Sequence, residues 1–429
     1  MTDPSLVFTA LFSALLVLGL VTKLYLATRQ IRHVARHRHQ VPAAFASTIT
    51  LAAPQKAADY TVAKARLGRL ETGLAAALLI GWTLLGGLDA LNQMLLRSGL
   101  AGHGFVALQL ALLVAFGLIG GLLDLPFSLY KTFWLEERFG FNKMTARLWL
   151  ADLLKSTLVG ALVGLPIAAL ILWLMGSAGS LWWLWTWLVW ISFNLLVLVL
   201  FPTVIAPLFN QFKPLDDEAL KTRVTALMQR CGFAAKGLFV MDGSKRSAHA
   251  NAYFTGFGAA KRVVFYDTLL NQLNPGEVDA VLAHELGHFK HKHIVKRIAV
   301  MFAISFVGFA LLGWLSSQVW FYTGLGVRPS LAGANDALAL LLFLMAVPLL
   351  SFFVSPVMAQ VSRRHEFEAD AYAISQTDGR NLQSALLKLY KDNASTLTPD
   401  PVFVKFYYSH PPASERLGRM TSSFESAAA

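Results

Sequence analysis

Apolar and polar positions alternate slowly along the chain. Seven stretches hold about 20 mostly apolar residues each, the length a helix needs to cross a hydrocarbon core about 30 Å thick. They cover residues 6–27, 72–96, 105–125, 156–175, 181–205, 298–322 and 337–361. Between the fifth and sixth the pattern changes. Residues 216–230 have helical spacing, 237–241 and 262–266 read as short strands bounded by turn residues, and Pro275 introduces a helix over 276–292. The pattern predicts an all-α polytopic membrane protein with seven transmembrane helices and a small α+β unit. Its segments are 1–205 with the first five spans, 206–297 with the small unit, 298–361 with the last two spans, and 362–429.

Composition agrees: 55% of residues are hydrophobic and 14% charged, against about 25% charged in soluble domains. A disordered chain is excluded and an ordinary soluble one disfavoured. The net charge of +12 is explained by topology, because only Arg97 and Arg328 of the 37 Lys and Arg residues fall on one side if the spans alternate. The N-terminus is then outside, and the small unit and C-terminus are cytoplasmic. Attraction to anionic headgroups accounts for the basic surplus without nucleic acid. The first stretch lacks a basic n-region and a cleavage site, so it is expected to stay as an anchor. The single cysteine, Cys231, excludes a disulfide framework or a multi-cysteine metal site. Asp89, at membrane depth, reads either as a marker of hydrated space in the bundle or as a group reaching headgroup water.

The chemistry lies in the helix after Pro275, which contains His284-Glu285-Leu286-Gly287-His288. Histidines at i and i+4 share a helical face, so both can reach one Zn²⁺. Glu285 is rotated off that face, beside the ion rather than on it, where it can act as a general base toward water. After the seventh stretch, Glu366 and Asp370 lie one turn apart. Glu366 is the candidate third ligand, and Asp370 a carboxylate that takes the free N–H of a ligand histidine. The competing reading of Glu366, Glu368 and Asp370 is a solvated charged face. His291 and His293 read as headgroup-facing cations, and His365 as pointing away from Glu366. Asn251 lies in a segment that could form an edge strand and hold an extended peptide, or in an ordinary turn. His410, before Pro411 and Pro412, could donate to the oxyanion of a hydrolysed peptide bond, or sit in a surface turn.

Together with Asn251-Ala252-Tyr253-Phe254, Ser409-His410-Pro411, Ala206-Pro207-Leu208-Phe209-Asn210 and Phe139-Gly140-Phe141-Asn142-Lys143, these motifs resemble the zinc-dependent CAAX prenyl proteases, seven-span membrane metalloendopeptidases of the HExxH class. The resemblance implies seven helices around a water-filled chamber, capped by a cytoplasmic zinc-metalloprotease domain. It implies one zinc per chain on His284, His288 and Glu366, Glu285 as catalytic base, Asp370 behind the ligands, Asn251 and Ala252 on the substrate strand, and His410 as oxyanion donor. The expected partners are the lipid bilayer and a peptide or protein substrate of the CAAX type, prenylated or not, with oligomeric state left open. A bacterial inner membrane is favoured over the endoplasmic reticulum, no retrieval signal being visible. Two other readings stay open: a broad-specificity quality-control protease, and a non-enzymatic carrier with a metal site.

Overall fold

The computed structural model of the chain describes residues 3–42, 45, 50–233, 237–255, 262–330, 333 and 335–428. Its first six helices are α1 (Pro4–Arg36), α2 (Ala52–Trp82), α3 (Gly87–Arg97), α4 (Phe105–Tyr130), α5 (Ala146–Ser177) and α6 (Trp182–Leu200). The small unit follows, with β1 (Phe212–Pro214), α7 (Glu218–Arg230), β2 (Gly237–Met241), β3 (Ala252–Thr255), β4 (Arg262–Tyr266), α8 (Asp267–Gln272) and α9 (Pro275–Lys290). The chain then returns through α10 (His293–Leu315), α11 (Val319–Thr323) and α12 (Asp336–Gln376), and ends in α13 (Gly379–Asp392), α14 (Pro401–Tyr407) and α15 (Ala413–Ala428).

Among the described residues six helices are long and apolar enough to span a membrane by themselves, and α2 with α3, taken as one bent span, makes a seventh. That second span is not the single rod its apolar run suggested, because α2 and α3 meet at a bend of 52°. The cause is local: Gly86 sits at φ 75°, and a Cβ on Gly87 would stand 2.6 Å from the Gly81 carbonyl oxygen. Only glycine fits such a turn. The sixth stretch, 298–322, is likewise divided between α10 and the short α11. Side chains such as Leu122, Leu162 and Val307 stand largely exposed on these helices. Apolar surface on that scale belongs against lipid.

Packing closes the spans into a ring. Helix α1 packs on α2 and α12, α12 on α10, α10 on α6, α6 on α5 and α5 on α4, while α3 links α4 back to α2. One end is sealed by a buried apolar cluster that includes Phe12, Leu88, Leu112, Leu172, Leu312, Phe321 and Leu342. Asp89 lies at that end and is buried. Its carboxylate accepts the Arg328 backbone N–H at 3.1 Å and Nε–H at 3.3 Å, tying α3 to the loop before α12. Toward the other end, α1 and α2 line a cavity of about 630 Å³ whose wall includes Lys23, Tyr60, Lys64, Tyr408 and His410.

The small unit is a four-stranded sheet in the order β1-β2-β4-β3. Strands β2 and β4 are parallel, and β1 and β3 run antiparallel to their neighbours. One of these strands was not legible, β1, which is three residues ending in proline; β3, four residues long, lies in the segment after Asn251 for which an edge strand was one of the two readings. Among the described residues β3 has a strand neighbour on one side only. The sheet, α7, α9 and α13 share one core through Val224, Leu227, Val263, Phe265, Leu282 and Leu382.

Helix α9 starts with a capping box: Asn274 accepts the Glu277 N–H at 2.9 Å, and Glu277 accepts the Asn274 N–H at 2.8 Å. Glu277 is buried and also accepts from Ser384 at 2.6 Å and Lys388 at 2.7 Å, which fastens α9 to α13. Burial pushes its carboxyl up, but the bonds from Lys388, Ser384 and the cap outweigh it and hold the group below the usual carboxylate range. Glu277→Ala is expected to cost about 2 kcal/mol, from a lost cap and bonds to a charged group. Detergent melting midpoints measure it. Because the folded value is depressed, this stabilisation is complete above the unfolded value near about 4.3 and disappears as pH falls through the folded value. The gap between parent and variant should therefore narrow in acid.

Candidate metal centre

The centre forms where α9 crosses α12. At the crossing, a Cβ on Gly287 would stand 2.9 Å from the Ala369 Cα and 3.1 Å from its carbonyl oxygen, so the residue just before His288 has no room for a side chain. The helices thereby approach closely enough for Glu366, one turn from Asp370, to meet His284 and His288. The two Nε2 atoms lie 3.3 Å apart. Glu366 Oε2 is 3.5 Å from His284 Nε2, and Glu366 Oε1 is 3.4 Å from His288 Nε2. Atoms bound to one tetrahedral zinc at about 2.0–2.1 Å are separated by roughly 3.3 Å. Glu366 is 3% exposed, and its Oε2 is buried without a well-aligned hydrogen bond, although His410 Nδ1 approaches to 2.8 Å. Two imidazoles and a carboxylate at this spacing fit a divalent cation.

Behind the three, His284 Nδ1 is 2.9 Å from Asp370 Oδ1. Asp370 in turn accepts two bonds from the guanidinium of Arg416, one of them 2.8 Å from Nε. Arg416, on α15, is itself buried. Burial alone would push the His284 pKa down, yet the Asp370 and Glu366 carboxylates reverse the sign and raise it to about 9, with Arg416 opposing them. A cation and a proton therefore compete for this ring. Glu285 is half-buried next to the two histidines, and no described residue bonds its carboxylate.

The other expected residues surround this centre. His410 lies between α14 and α15 with a largely exposed ring, against Glu366 and on the wall of the 630 Å³ cavity. Asn251 precedes the edge strand β3, and its side chain accepts the Ala252 N–H at 2.9 Å. The segment leading to it is pinned by Phe141 and Asn393. Ala248 N–H donates to the Phe141 carbonyl at 3.2 Å, Ala250 N–H donates to Asn393 Oδ1 at 3.2 Å, and the His249 ring stacks on Phe141 with centroids 4.5 Å apart. Arg246 binds Asp152, Asn210 and the Phe209 carbonyl, fixing the chain after α6 to the same place. The Phe209 carbonyl and the Phe141 carbonyl and ring thus mark two stretches that hold one segment.

One expectation fails. His293 is not a headgroup-facing cation: it is 4% exposed, its Nδ1 lies 3.0 Å from His288 Nδ1, and its Nε2 lies 2.9 Å from Glu368 Oε2. The cause is Lys292, whose left-handed backbone (φ 56°) turns the chain back after α9. His365 does point away from Glu366, and stacks on His293 with centroids 3.9 Å apart. Arg416 went unnoticed in the sequence, since a lone arginine in a polar helix carries no signal until the helix docks.

Residues 30–211 match the family described as CAAX prenyl protease N-terminal, five membrane helices, and residues 214–423 match peptidase family M48. The Arabidopsis thaliana protein named CAAX prenyl protease 1 homolog is 39% identical over 68% of this chain and 69% of its own. CAAX prenyl protease 1 of Saccharomyces cerevisiae is 37% identical over 73% of this chain and 72% of its own. The chain belongs to the CAAX prenyl protease family of M48 peptidases. The crystal structure of S. mikatae Ste24p superposes with a TM-score of 0.89 at 32% identity, covering 96% of this chain and 98% of that one. This M48 member is accordingly an integral-membrane, multi-pass metallopeptidase acting on peptide or protein, and the carrier reading is set aside. Its M48 centre depends on the bare backbone at Gly287. Gly287→Ala should force α9 and α12 apart, cost about 1–3 kcal/mol as an overpacked contact does, and lower the metal content of purified protein measured by elemental analysis.

Proposed function

We propose that this protein is a zinc endopeptidase that cuts CAAX-type substrates near their C-terminus, with its centre on the cytoplasmic face. What carries the reading is the meeting of the His284 and His288 Nε2 atoms, 3.3 Å apart, with the two carboxylate oxygens of Glu366, one 3.5 Å from His284 and the other 3.4 Å from His288, with the unpaired Glu285 carboxylate beside them. His284, His288 and Glu366 would hold the zinc. When bound, the ion supplies Lewis acidity, which makes water acidic and polarises a carbonyl. Glu285 takes the proton of the attacking water and delivers it to the leaving amine nitrogen. Asp370, braced by Arg416, keeps His284 in one tautomer and orientation. His410 donates to the oxyanion, and Asn251 with Ala252 aligns the substrate backbone along the open edge of β3.

The CAAX specificity is supported by the names of the relatives and by a space suited to an apolar tail. The cavity beside His410 shares Lys23, Gly68 and Thr72 with a second one of about 370 Å³, walled by Leu16, Leu20, Leu79, Leu349 and Phe352. The charge asymmetry supports an N-terminus outside and a C-terminus in the cytoplasm. The segments 1–205, 206–297, 298–361 and 362–429 would serve as frame, catalytic unit, closing spans and ligand-bearing tail. A bacterial inner membrane remains part of the proposal, although the relatives compared come from eukaryotes.

Glu285→Gln should retain zinc while turnover drops by about 10²–10⁴. His410→Ala should also retain zinc and lose about 10²–10³ in turnover. Parental rates in the glutamine variant would end the mechanism. A farnesylated CAAX peptide should be cleaved with a higher kcat/KM than its unmodified counterpart by detergent-solubilised enzyme, sensitively to a zinc chelator. Equal cleavage of both would favour the quality-control reading.

A further inference from the structure

His284 has a carboxylate behind it, and the other ligand histidine needs a partner of its own. In the structure that partner is His293. The Nδ1 atoms of His288 and His293 lie 3.0 Å apart, and on the opposite side of its ring His293 Nε2 lies 2.9 Å from Glu368 Oε2. Arg364 Nε–H donates to the other oxygen of that carboxylate at 3.1 Å. Ring stacking holds His293 in plane, with His365 on it at 3.9 Å and His291 at 5.4 Å between centroids, both within 14° of parallel. The ring reaches this position only because Lys292 adopts a left-handed backbone conformation between α9 and α10. For a residue with a Cβ that conformation is strained, and tertiary contacts must sustain it.

From these observations we infer that His293 is a positioning residue for the zinc centre: its Nδ1 accepts the Nδ1–H of His288, its Nε2–H donates to Glu368, and the row fixes the tautomer in which His288 Nε2 faces the metal. This rests on the zinc reading above. The polarity follows from chemistry, since a ring that binds a cation through Nε2 carries its proton on Nδ1. His293 must then present a lone pair there and hold its own proton on the far nitrogen, where a carboxylate receives it. Each ligand histidine thus leads to a carboxylate held by an arginine: His284 through Asp370 to Arg416, and His288 through His293 and Glu368 to Arg364. The second row also ties the start of α10 to α12, so it couples ligand geometry to the mouth of the sixth span.

The same side chains, His291, His293 and Glu368, are close enough together to be considered as a second metal site. The 2.9 Å separation of His293 Nε2 and Glu368 Oε2 is instead that of a hydrogen-bonded pair.

The test uses full-length protein in detergent, titrated with zinc alone against a chromophoric chelator. Loss of an outer partner of a ligand histidine typically weakens metal binding 10–100-fold, so His293→Leu should do so by about that factor. His293→Asn places an amide oxygen near the position of Nδ1, and should bind zinc within about threefold of the parent, since the bond from His288 survives. The visible spectrum of cobalt-loaded protein should shift in the leucine variant and return in the asparagine variant. Parental zinc affinity in His293→Leu, or equal weakening in both variants, overturns the inference. Two zinc ions bound per parent chain would overturn it as well, making His293 and Glu368 ligands. If the parent itself binds no zinc, or binds it undiminished after His284→Ala, the underlying zinc reading fails instead.

Discussion

Everything at the candidate centre depends on how closely two helix backbones approach. Gly287 on α9 and Ala369 on α12 are separated in sequence by two membrane crossings, yet the helices touch where these two residues face each other. Side chains at such a crossing normally keep helix axes about 8–10 Å apart. With glycine on one side the axes come nearer, and short reaches suffice: a glutamate on α12 meets two imidazoles on α9. The Leu286 and Ala283 side chains, buried on the core side of α9, fix its rotation so that His284 and His288 turn toward α12.

Concentrating charge in this space sets a second requirement. Glu366 and Asp370 are both almost fully buried, and Arg416 is buried with them. Taking such groups out of water is costly unless each finds a partner of opposite sign. The tail of the chain supplies it: α15 docks on α12 and α13 and delivers Arg416 to Asp370. The balance explains why a C-terminal helix without a reactive group of its own belongs to the functional unit. It also explains the elevated His284 pKa, because two carboxylates against one guanidinium leave an excess of negative potential.

The membrane frame has a related division of labour. One end of the ring is filled by an apolar cluster, while toward the metal end cavities remain that polar and charged side chains share with apolar ones. Hydrolysis needs water next to the scissile bond, whereas lipid-facing helices need apolar side chains outward. A ring meets both needs because it has an inner face that is not in contact with lipid. The bend at Gly86 contributes by letting α3 fold over the sealed end while α2 continues the wall.

Much of this was legible along the chain. The spans announced themselves through composition, since each must bury its own backbone hydrogen bonds and show apolar groups to lipid. The histidine pair at 284 and 288 was legible because helical periodicity places i and i+4 on one face without help from the rest of the protein. Asp370 and Glu366 were candidates for the same reason. The strand β1 was not, being too short to show alternation and existing only through β2, while an edge strand near β3 was one of two readings of its segment. The break in the second span was missed since hydropathy does not register a glycine turn. His293 was misread because its direction is set by one left-handed residue, Lys292, and Arg416 went unnoticed because its partner lies on another helix. Local order, decided by side-chain period and by the solvent each stretch must face, was thus written in the sequence. The meeting of α9, α12 and α15 was decided by the tertiary structure, because contacts between distant segments depend on backbone approach and charge pairing that no single stretch contains.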